Sequence, residues 1–152
     1  MDGSHDLVKV LLSNEDGDVE RMWARPLGGN QYQLDNIPWY AYGVSCGDVI
    51  EARADDEATV PSFVRVVEKR GNRTVRIAFE WPARGANLTQ RVLDYLSELG
   101  CQWEGMSGKL IAVSIPPATD FSGVCEYLTN KELRWEHADP PYKELYPDDD
   151  GD

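Results

Sequence analysis

Cysteine and histidine, which bind zinc and supply nucleophiles and bases, are scarce in the chain. Its 152 residues include three cysteines and two histidines. Cys46, Cys101 and Cys125 are odd in number, far apart and never spaced Cys-x-x-Cys, which argues against a disulfide framework and against a zinc site. We therefore expect reduced thiols, no metal and no cofactor. Since a Ser-His-Asp or Cys-His centre needs a positioned base, the scarcity of histidine also argues against an enzyme of that type.

Long apolar runs and positive charge are scarce as well. No segment approaches the roughly 20 apolar residues that span a bilayer. Residues 1–5 lack the basic start and the apolar stretch of a signal peptide, so we expect a cytoplasmic protein. Fifteen Lys and Arg against 27 Asp and Glu give a net charge of −12. Because nucleic acids and anionic membranes repel such a chain, we expect neither general nucleic-acid binding nor membrane binding, and favour a basic protein as partner.

The first half of the chain predicts short strands separated by turns. The strand-like segments are residues 7–13, 19–25, 31–34, 49–54 and 63–68. Polar, Gly-rich and acidic clusters separate them, and no helical period lies between them. This spacing predicts a small curved β-sheet or a partly open barrel over residues 1–70.

The second half predicts an α+β module. Apolar residues recur at helical spacing from an N-cap at Asn87 to a stop at Gly100, and a second helix begins after Thr119 or Asp120. Predicted strands are residues 75–80, 101–104, 109–115 and 133–137. The order strand, helix, strand, strand, helix, strand is that of a ferredoxin-like βαββαβ fold, here over residues 71–138. Residues 139–152 are acidic and poor in apolar side chains, which predicts a flexible tail.

Two residues could carry chemistry. Cys46 lies in a Gly-rich turn, but the nearby carboxylate of Asp48 disfavours a thiolate, so the sequence favours a structural turn over a nucleophile. His137 falls in the last predicted strand and is better explained as a polar residue at a strand edge, while His5 lies near the N-terminus. The sequence therefore leans away from catalysis.

Two clusters stand out as binding candidates. Trp39, Tyr40 and Tyr42 concentrate aromatic surface in a connection, which indicates either a lid packed on the core or a binding patch, with packing favoured. A basic tip surrounds the turn at Gly71-Asn72, and its members are Lys69, Arg70, Arg73 and Arg76, with Arg84 and Arg91 further along the chain. A local basic cluster in so acidic a chain could orient a partner.

Spaced motifs resemble one family across nearly the whole chain. They are Leu-Asp-Asn-Ile-Pro at residues 34–38, Tyr-Gly-Val-Ser-Cys-Gly-Asp-Val-Ile at 42–50, Leu-Gly-Cys-Gln-Trp-Glu-Gly at 99–105, Ala-Val-Ser-Ile-Pro-Pro at 112–117 and Arg-Trp-Glu at 134–136. Together they resemble the bacterial proteins grouped as domain-of-unknown-function family 4265. The resemblance implies a stand-alone bacterial protein and brings no reaction or ligand with it. The family pattern does not require cysteine at position 46, which weakens the nucleophile interpretation further.

We therefore expect a non-enzymatic binding protein, of the immunity or inhibitor type, that covers a basic protein partner. The alternative is a small-molecule or nucleotide sensor with a pocket between the two halves. In that alternative Trp39, Tyr40 and Tyr42 would form the wall, and Arg73 or Arg76 would face the ligand. An enzyme using Cys46 or His137 comes third.

Overall fold

The structure is a computed structural model that describes residues 6–56, 59–79, 88–106 and 110–148. It is a mixed α+β protein in which strands predominate. The chain divides into two compact units, Met1–Asn72 and Arg73–Asp152.

The first unit is a five-stranded barrel. Its strands are β1 (Val8–Ser13), β2 (Val19–Gly28), β3 (Gln31–Leu34), β4 (Val49–Arg53) and β5 (Ser62–Glu68). The order follows the chain, and the barrel is closed by a parallel pairing of β1 with β5 at Leu11 and Ser62. The sequence predicted the strands but only a curved sheet or a partly open barrel. Closure rests on a single parallel register pair, for which the sequence carries no local signal.

β2 is longer than its predicted span of residues 19–25. Pro26 pairs with Tyr32, and a register shift between Pro26 and Gly28 continues the strand. Proline cannot donate to a ladder, so a bulge is where a strand accommodates it. The barrel core consists of inward-facing side chains, among them Val10, Met22 and Ile50.

The second unit is a four-stranded antiparallel sheet with helices. Its elements are β6 (Arg73–Ala78), α1 (Leu88–Glu98), β7 (Gln102–Met106), β8 (Leu110–Ile115), α2 (Phe121–Asn130), β9 (Arg134–Asp139) and the short α3 (Tyr142–Leu145). The strand order is β7-β8-β6-β9. Every neighbouring pair is antiparallel. Alternate residues of β6 and β8, such as Val75 and Val113, pack in one core with Leu96 of α1 and Val124 of α2.

The helix ends follow the predicted chemistry in part. Gly100 has φ +94°, and the amides of Gly100 and Cys101 donate to the carbonyls of Ser97 and Leu96, each at 3.0 Å, as in a Schellman ending. The predicted cap Asn87 lies outside the described residues. Asp120 occupies the N-cap of α2 without a side-chain capping bond. The Thr119 hydroxyl instead donates to the carbonyl of Leu99 at 2.6 Å.

The predicted tail, residues 139–152, includes secondary structure in its described part. β9 continues to Asp139, and α3 follows it. The rings of Tyr142 and Tyr146 lie 5.8 and 6.1 Å from that of His137. Residues 149–152 of the predicted tail lie outside the described residues. Within the described part of the chain, no helix has the length and apolar character needed to cross a membrane.

Candidate functional site

The connection between β3 and β4, residues 35–48, covers one end of the barrel, and we call it the aromatic loop. Its apolar residues Ile37, Ala41 and Val44 are buried, and the last two belong to the barrel core. Trp39 and Tyr40 are half-buried, whereas Tyr42 keeps 46% of its surface exposed. The loop is therefore a packed lid that still presents aromatic surface to solvent.

A buried carboxylate anchors this loop. Glu20 of β2 accepts hydrogen bonds from three successive amides, those of Trp39 at 2.7 Å, Tyr40 at 2.8 Å and Ala41 at 2.9 Å. Charge-assisted bonds of this kind are stronger than bonds between neutral groups. Consecutive amides that converge on one anion hold their segment in a single conformation.

Sequence reasoning missed Glu20, although a signal exists. In β2 it alternates with Met22 and Ala24, which face the barrel interior, so a charged residue stands on an inward-facing position. Such a residue needs dedicated hydrogen-bond partners, because burying an unpaired charge is costly.

A second buried carboxylate shapes the turn around Cys46. Asp48 is fully buried and accepts from the amides of Ser45 at 2.9 Å and Arg70 at 3.0 Å, and from the Lys69 ammonium at 2.6 Å. Gly43 and Gly47 have φ +80° and +92°. The predicted bend is thus present, with Asp48 bonded across it.

Cys46 and part of the basic tip have structural contacts in this turn. The Cys46 carbonyl accepts from the Asn72 side chain at 2.8 Å, and its half-buried thiol lies 4.0 Å from the Leu34 carbonyl oxygen. Lys69, besides its ion pair with Asp48, donates to the Gly43 carbonyl at 3.2 Å. These contacts give the polar groups of the turn a structural role, and none of them indicates a catalytic one.

An acidic turn, residues 14–18 between β1 and β2, lies beside the aromatic loop. The Asn14 side chain accepts from the amides of Asp16 and Asp18 and donates to the Tyr40 carbonyl at 3.2 Å. Glu15, Asp16 and Asp18 are all exposed. We call the combination of this turn with Trp39, Tyr40 and Tyr42 the aromatic-acidic face. Aromatic ring faces and carboxylates are the groups that bind Arg and Lys side chains.

The two predicted arginines have other contacts. Arg73 is exposed, and its guanidinium lies 4.7 Å from the centre of the Phe121 ring. Arg76 is only 2% exposed, and its Nε donates to Glu136 at 2.8 Å. The three aromatic residues belong to the first unit and both arginines to the second. Arg76 is bound within its own sheet, and its burial leaves little surface for a ligand.

Burial shifts the pKa of three further candidate groups, Cys101, Cys125 and His137. Burial raises the pKa of the Cys101 and Cys125 thiols to about 11. Burial lowers the pKa of His137. Its Nδ1 has no hydrogen-bond partner among the described residues, and four aromatic rings surround it, those of Phe121, Trp135, Tyr142 and Tyr146. His5 lies outside the described residues. In the part of the chain that is described, no group of three or more His, Cys, Asp or Glu side chains is arranged to hold a metal ion.

The other end of the barrel is open. A cavity of about 480 Å³ lies there, lined by Tyr32 of β3, Ala52 of β4 and Thr59 of the β4–β5 connection, among others. The strand register places these residues away from Glu20 and the aromatic loop. This cavity lies within the first unit, and none of the five residues proposed from the sequence lines it.

Comparisons with known proteins identify the family of this chain but assign no activity to it. No curated protein matches the chain in sequence. In fold the chain is similar to a hypothetical protein from Neisseria gonorrhoeae with a novel crystal structure, at 16% sequence identity and a TM-score of 0.70. That match covers 90% of this chain and 95% of the other, and at such low identity it establishes the fold alone. The family model described as Domain of unknown function (DUF4265) matches residues 20–137, most of the chain, and the protein therefore belongs to that family.

Proposed function

We propose that this protein is a non-enzymatic binding protein that docks a basic protein partner through its aromatic-acidic face. One observation carries the proposal. Glu20 holds the aromatic loop by three amide bonds, Tyr42 of that loop remains 46% exposed, and the Asn14 side chain joins the acidic turn to the loop at the Tyr40 carbonyl. Binding residues on a preorganised segment lose little conformational entropy when a partner docks.

The chemistry of the face specifies the partner's charge. Arg and Lys side chains can stack on tyrosine and tryptophan rings and pair with nearby carboxylates. The net charge of −12 adds a field that steers a basic protein toward the chain and accelerates association. An immunity or inhibitor role fits such a chain, an analogy that rests on size and charge.

The placement of the polar groups supports binding over catalysis. The buried carboxylates of Glu20 and Asp48 are bonded to backbone amides, and Asp48 also to Lys69. The Cys101 and Cys125 thiols are protonated at neutral pH because their pKa is about 11.

Two finer assignments belong to the same proposal. We propose that the second unit is a ferredoxin-like module, which its element order and the strand order β7-β8-β6-β9 support. We also propose that the protein works in the reducing cytoplasm, since its three cysteines are free.

The test compares binding before and after the face is altered. The double substitution Glu15→Gln and Asp16→Asn, and separately Tyr42→Ala, should each reduce recovery of a stoichiometric partner from a lysate of the source organism at low and moderate salt. The matched control is Glu98→Gln with Glu126→Gln, which removes the same charge from exposed helix positions. Equal recovery by all four proteins, or no stoichiometric partner at either salt concentration, would refute the proposal.

The open barrel end favours a second candidate function, small-molecule sensing. A cavity of about 480 Å³ is within the range of ligand sites, and Tyr32, Ala52 and Thr59 line it with both apolar and polar groups. A thermal-shift screen with metabolites tests it, because a tight ligand raises the melting temperature by mass action. Thr59→Trp, which enlarges an exposed side chain that lines the cavity, should obstruct it and abolish any shift. A shift that persists in this variant would place the ligand elsewhere.

A further inference from the structure

The outer surface of β1 and β2 carries a cluster of cations around one tryptophan. Val10, Met22 and Ala24 face the barrel core, so the alternate residues face outward. Lys9 lies directly opposite Trp23 in the antiparallel register, and Arg21 and Arg25 lie two positions to either side of Trp23. We call these four residues the basic strip.

These cations differ from the others of the first unit. Seven Lys and Arg side chains belong to that unit. Four of them form ion pairs: Arg53 and Arg65 with Glu51, Lys69 with Asp48, and Arg70 with Glu68. The other three are Lys9, Arg21 and Arg25. None of the three forms an ion pair with any residue that the structure describes.

Leaving three cations together without counter-charges is unfavourable. Cross-strand and diagonal neighbours on one sheet face lie close enough to repel each other. In a chain with 27 acidic residues, carboxylates to neutralise them are plentiful. Asp35, whose amide donates to the Trp23 carbonyl at 2.9 Å, is exposed and makes no ion pair with the strip. The arrangement therefore points to an anionic group supplied from outside.

Arg25 retains donors for such a group. Its Nε is buried and has no hydrogen-bond partner among the described residues. Its Nη1 lies 3.5 Å from the Gln33 side-chain oxygen, a long contact. A carboxylate at the strip would satisfy donors that the protein leaves unused.

The apolar neighbours identify the kind of anion. Trp23 is 42% exposed, and Val19 and Leu27 of the same strand are 59% and 46% exposed. Apolar side chains such as these add no favourable contacts to a nucleic-acid phosphate backbone. The Lys9 ammonium lies 4.0 Å from the Trp23 ring centre and covers one face of the indole, which disfavours base stacking there. Trp and Arg together are typical of the centres of protein interfaces.

We propose that the basic strip binds an acidic amphipathic segment of a partner protein. Carboxylates of the segment bind Lys9, Arg21 and Arg25, and its apolar side chains pack on Trp23 and Val19. This surface is separate from the aromatic-acidic face and does not depend on the function proposed for that face.

The experiment selects the ligand instead of assuming it. A display library of random twelve-residue peptides is selected for binding to the full-length protein. Peptides that also bind a triple variant are then removed, and this variant carries the substitutions Lys9→Gln, Arg21→Gln and Arg25→Gln. The enriched peptides should combine Asp or Glu with Leu, Ile, Phe or Trp. The best of them, synthesised with a fluorescent label, is then the probe for binding measured by fluorescence anisotropy.

The substitutions should affect this probe in a defined way. Trp23→Ala should weaken binding by about 30-fold or more, as expected for a central interface residue. Trp23→Phe, which keeps a ring, should retain most of the affinity and guards against a folding defect. The matched control is Arg53→Gln with Arg65→Gln, which alters cations already bound to Glu51 and should leave the affinity unchanged.

Four outcomes would overturn the proposal. They are the absence of any peptide whose binding depends on the strip, enrichment of peptides without carboxylates, strip-dependent binding of a twelve-nucleotide oligothymidylate at comparable affinity, and strip-dependent self-association in sedimentation. The third would identify a nucleic-acid surface, and the fourth would identify a second copy of the chain as the occupant.

Discussion

Removing the carboxylate of Glu20 should release the aromatic loop from the barrel. Glu20→Ala deletes the acceptor of three amide bonds at 2.7, 2.8 and 2.9 Å. A bond to a charged group contributes about 1.5–3 kcal/mol. Ala41 is 4% exposed, so water cannot reach its amide, whereas Trp39 and Tyr40 are half-buried and water can partly replace their bonds. Full loss of the Ala41 hydrogen bond and partial loss of the other two should lower the free energy of unfolding by about 3–5 kcal/mol.

A loss of that size is large for a small domain, whose total stability is about 5–15 kcal/mol. Hydrogen exchange followed by NMR measures it at individual amides. Protection at Trp39, Tyr40 and Ala41 should be lost first, and the barrel amides of Val10 and Ile50 should report the change in global unfolding. Glu20→Gln keeps one acceptor oxygen and should fall between the wild type and Glu20→Ala.

The matched control is Glu15→Ala, which removes an exposed carboxylate from the neighbouring turn. Surface substitutions of this kind change stability by about 0.5 kcal/mol or less. If Glu20→Ala cost no more than Glu15→Ala, or if the three loop amides kept their protection, the anchoring role of Glu20 would be refuted.

Further predictions concern the other buried groups and the C-terminus. Asp48→Asn should lower the free energy of unfolding by about 1.5–3 kcal/mol in urea titrations, because Asp48 is fully buried and loses its ion pair with Lys69. Native Cys101 and Cys125, with a thiol pKa of about 11, should react slowly with iodoacetamide at pH 8, and the rate should rise about tenfold per pH unit toward pH 11, read by mass spectrometry. Burial lowers the pKa of His137 from 6.5, so on acidification this histidine binds a proton at a higher pH in the unfolded chain than in the folded protein. Stability should therefore fall as the pH drops below about 6.5, and His137→Phe should reduce this slope. Deleting residues 147–152 should leave the melting temperature nearly unchanged, because Tyr142 and Tyr146 remain in contact with His137. The same deletion removes carboxylates and should weaken binding of a basic partner at low salt, where charges are least screened.

Each of these has a result that would contradict it. Asp48→Asn with wild-type stability would mean that water replaces the Lys69 contact. Rapid alkylation of either thiol at pH 8 would show that burial does not raise its pKa. An unchanged pH slope in His137→Phe would assign the acid sensitivity to other groups. A deletion of residues 142–152 that is as harmless as the shorter one would show that α3 adds nothing to stability.

Local chemistry in the sequence determined most of the elements. Alternating apolar residues and Gly-rich or acidic turns were enough to find all five barrel strands, because side-chain period and backbone angles are properties of short segments. The end of α1 at Gly100 was predictable as well, because its φ of +94° is a conformation that glycine adopts easily. The bend at Gly43 to Asp48 was also predictable, as was the family to which the chain belongs.

Tertiary structure decided the rest. Glu20 binds amides 19 to 21 residues away, and Asp48 binds Lys69 at a separation of 21 residues. The closure of the barrel joins Leu11 to Ser62. A sequence pattern reports which face a residue occupies but not which distant group meets it there, because that depends on strand register and loop path. For this reason Arg76, expected at a binding surface, is buried against Glu136. Lys9 and Arg25 belong to no sequence motif, yet the strand register brings them together with Trp23 on one face of the barrel.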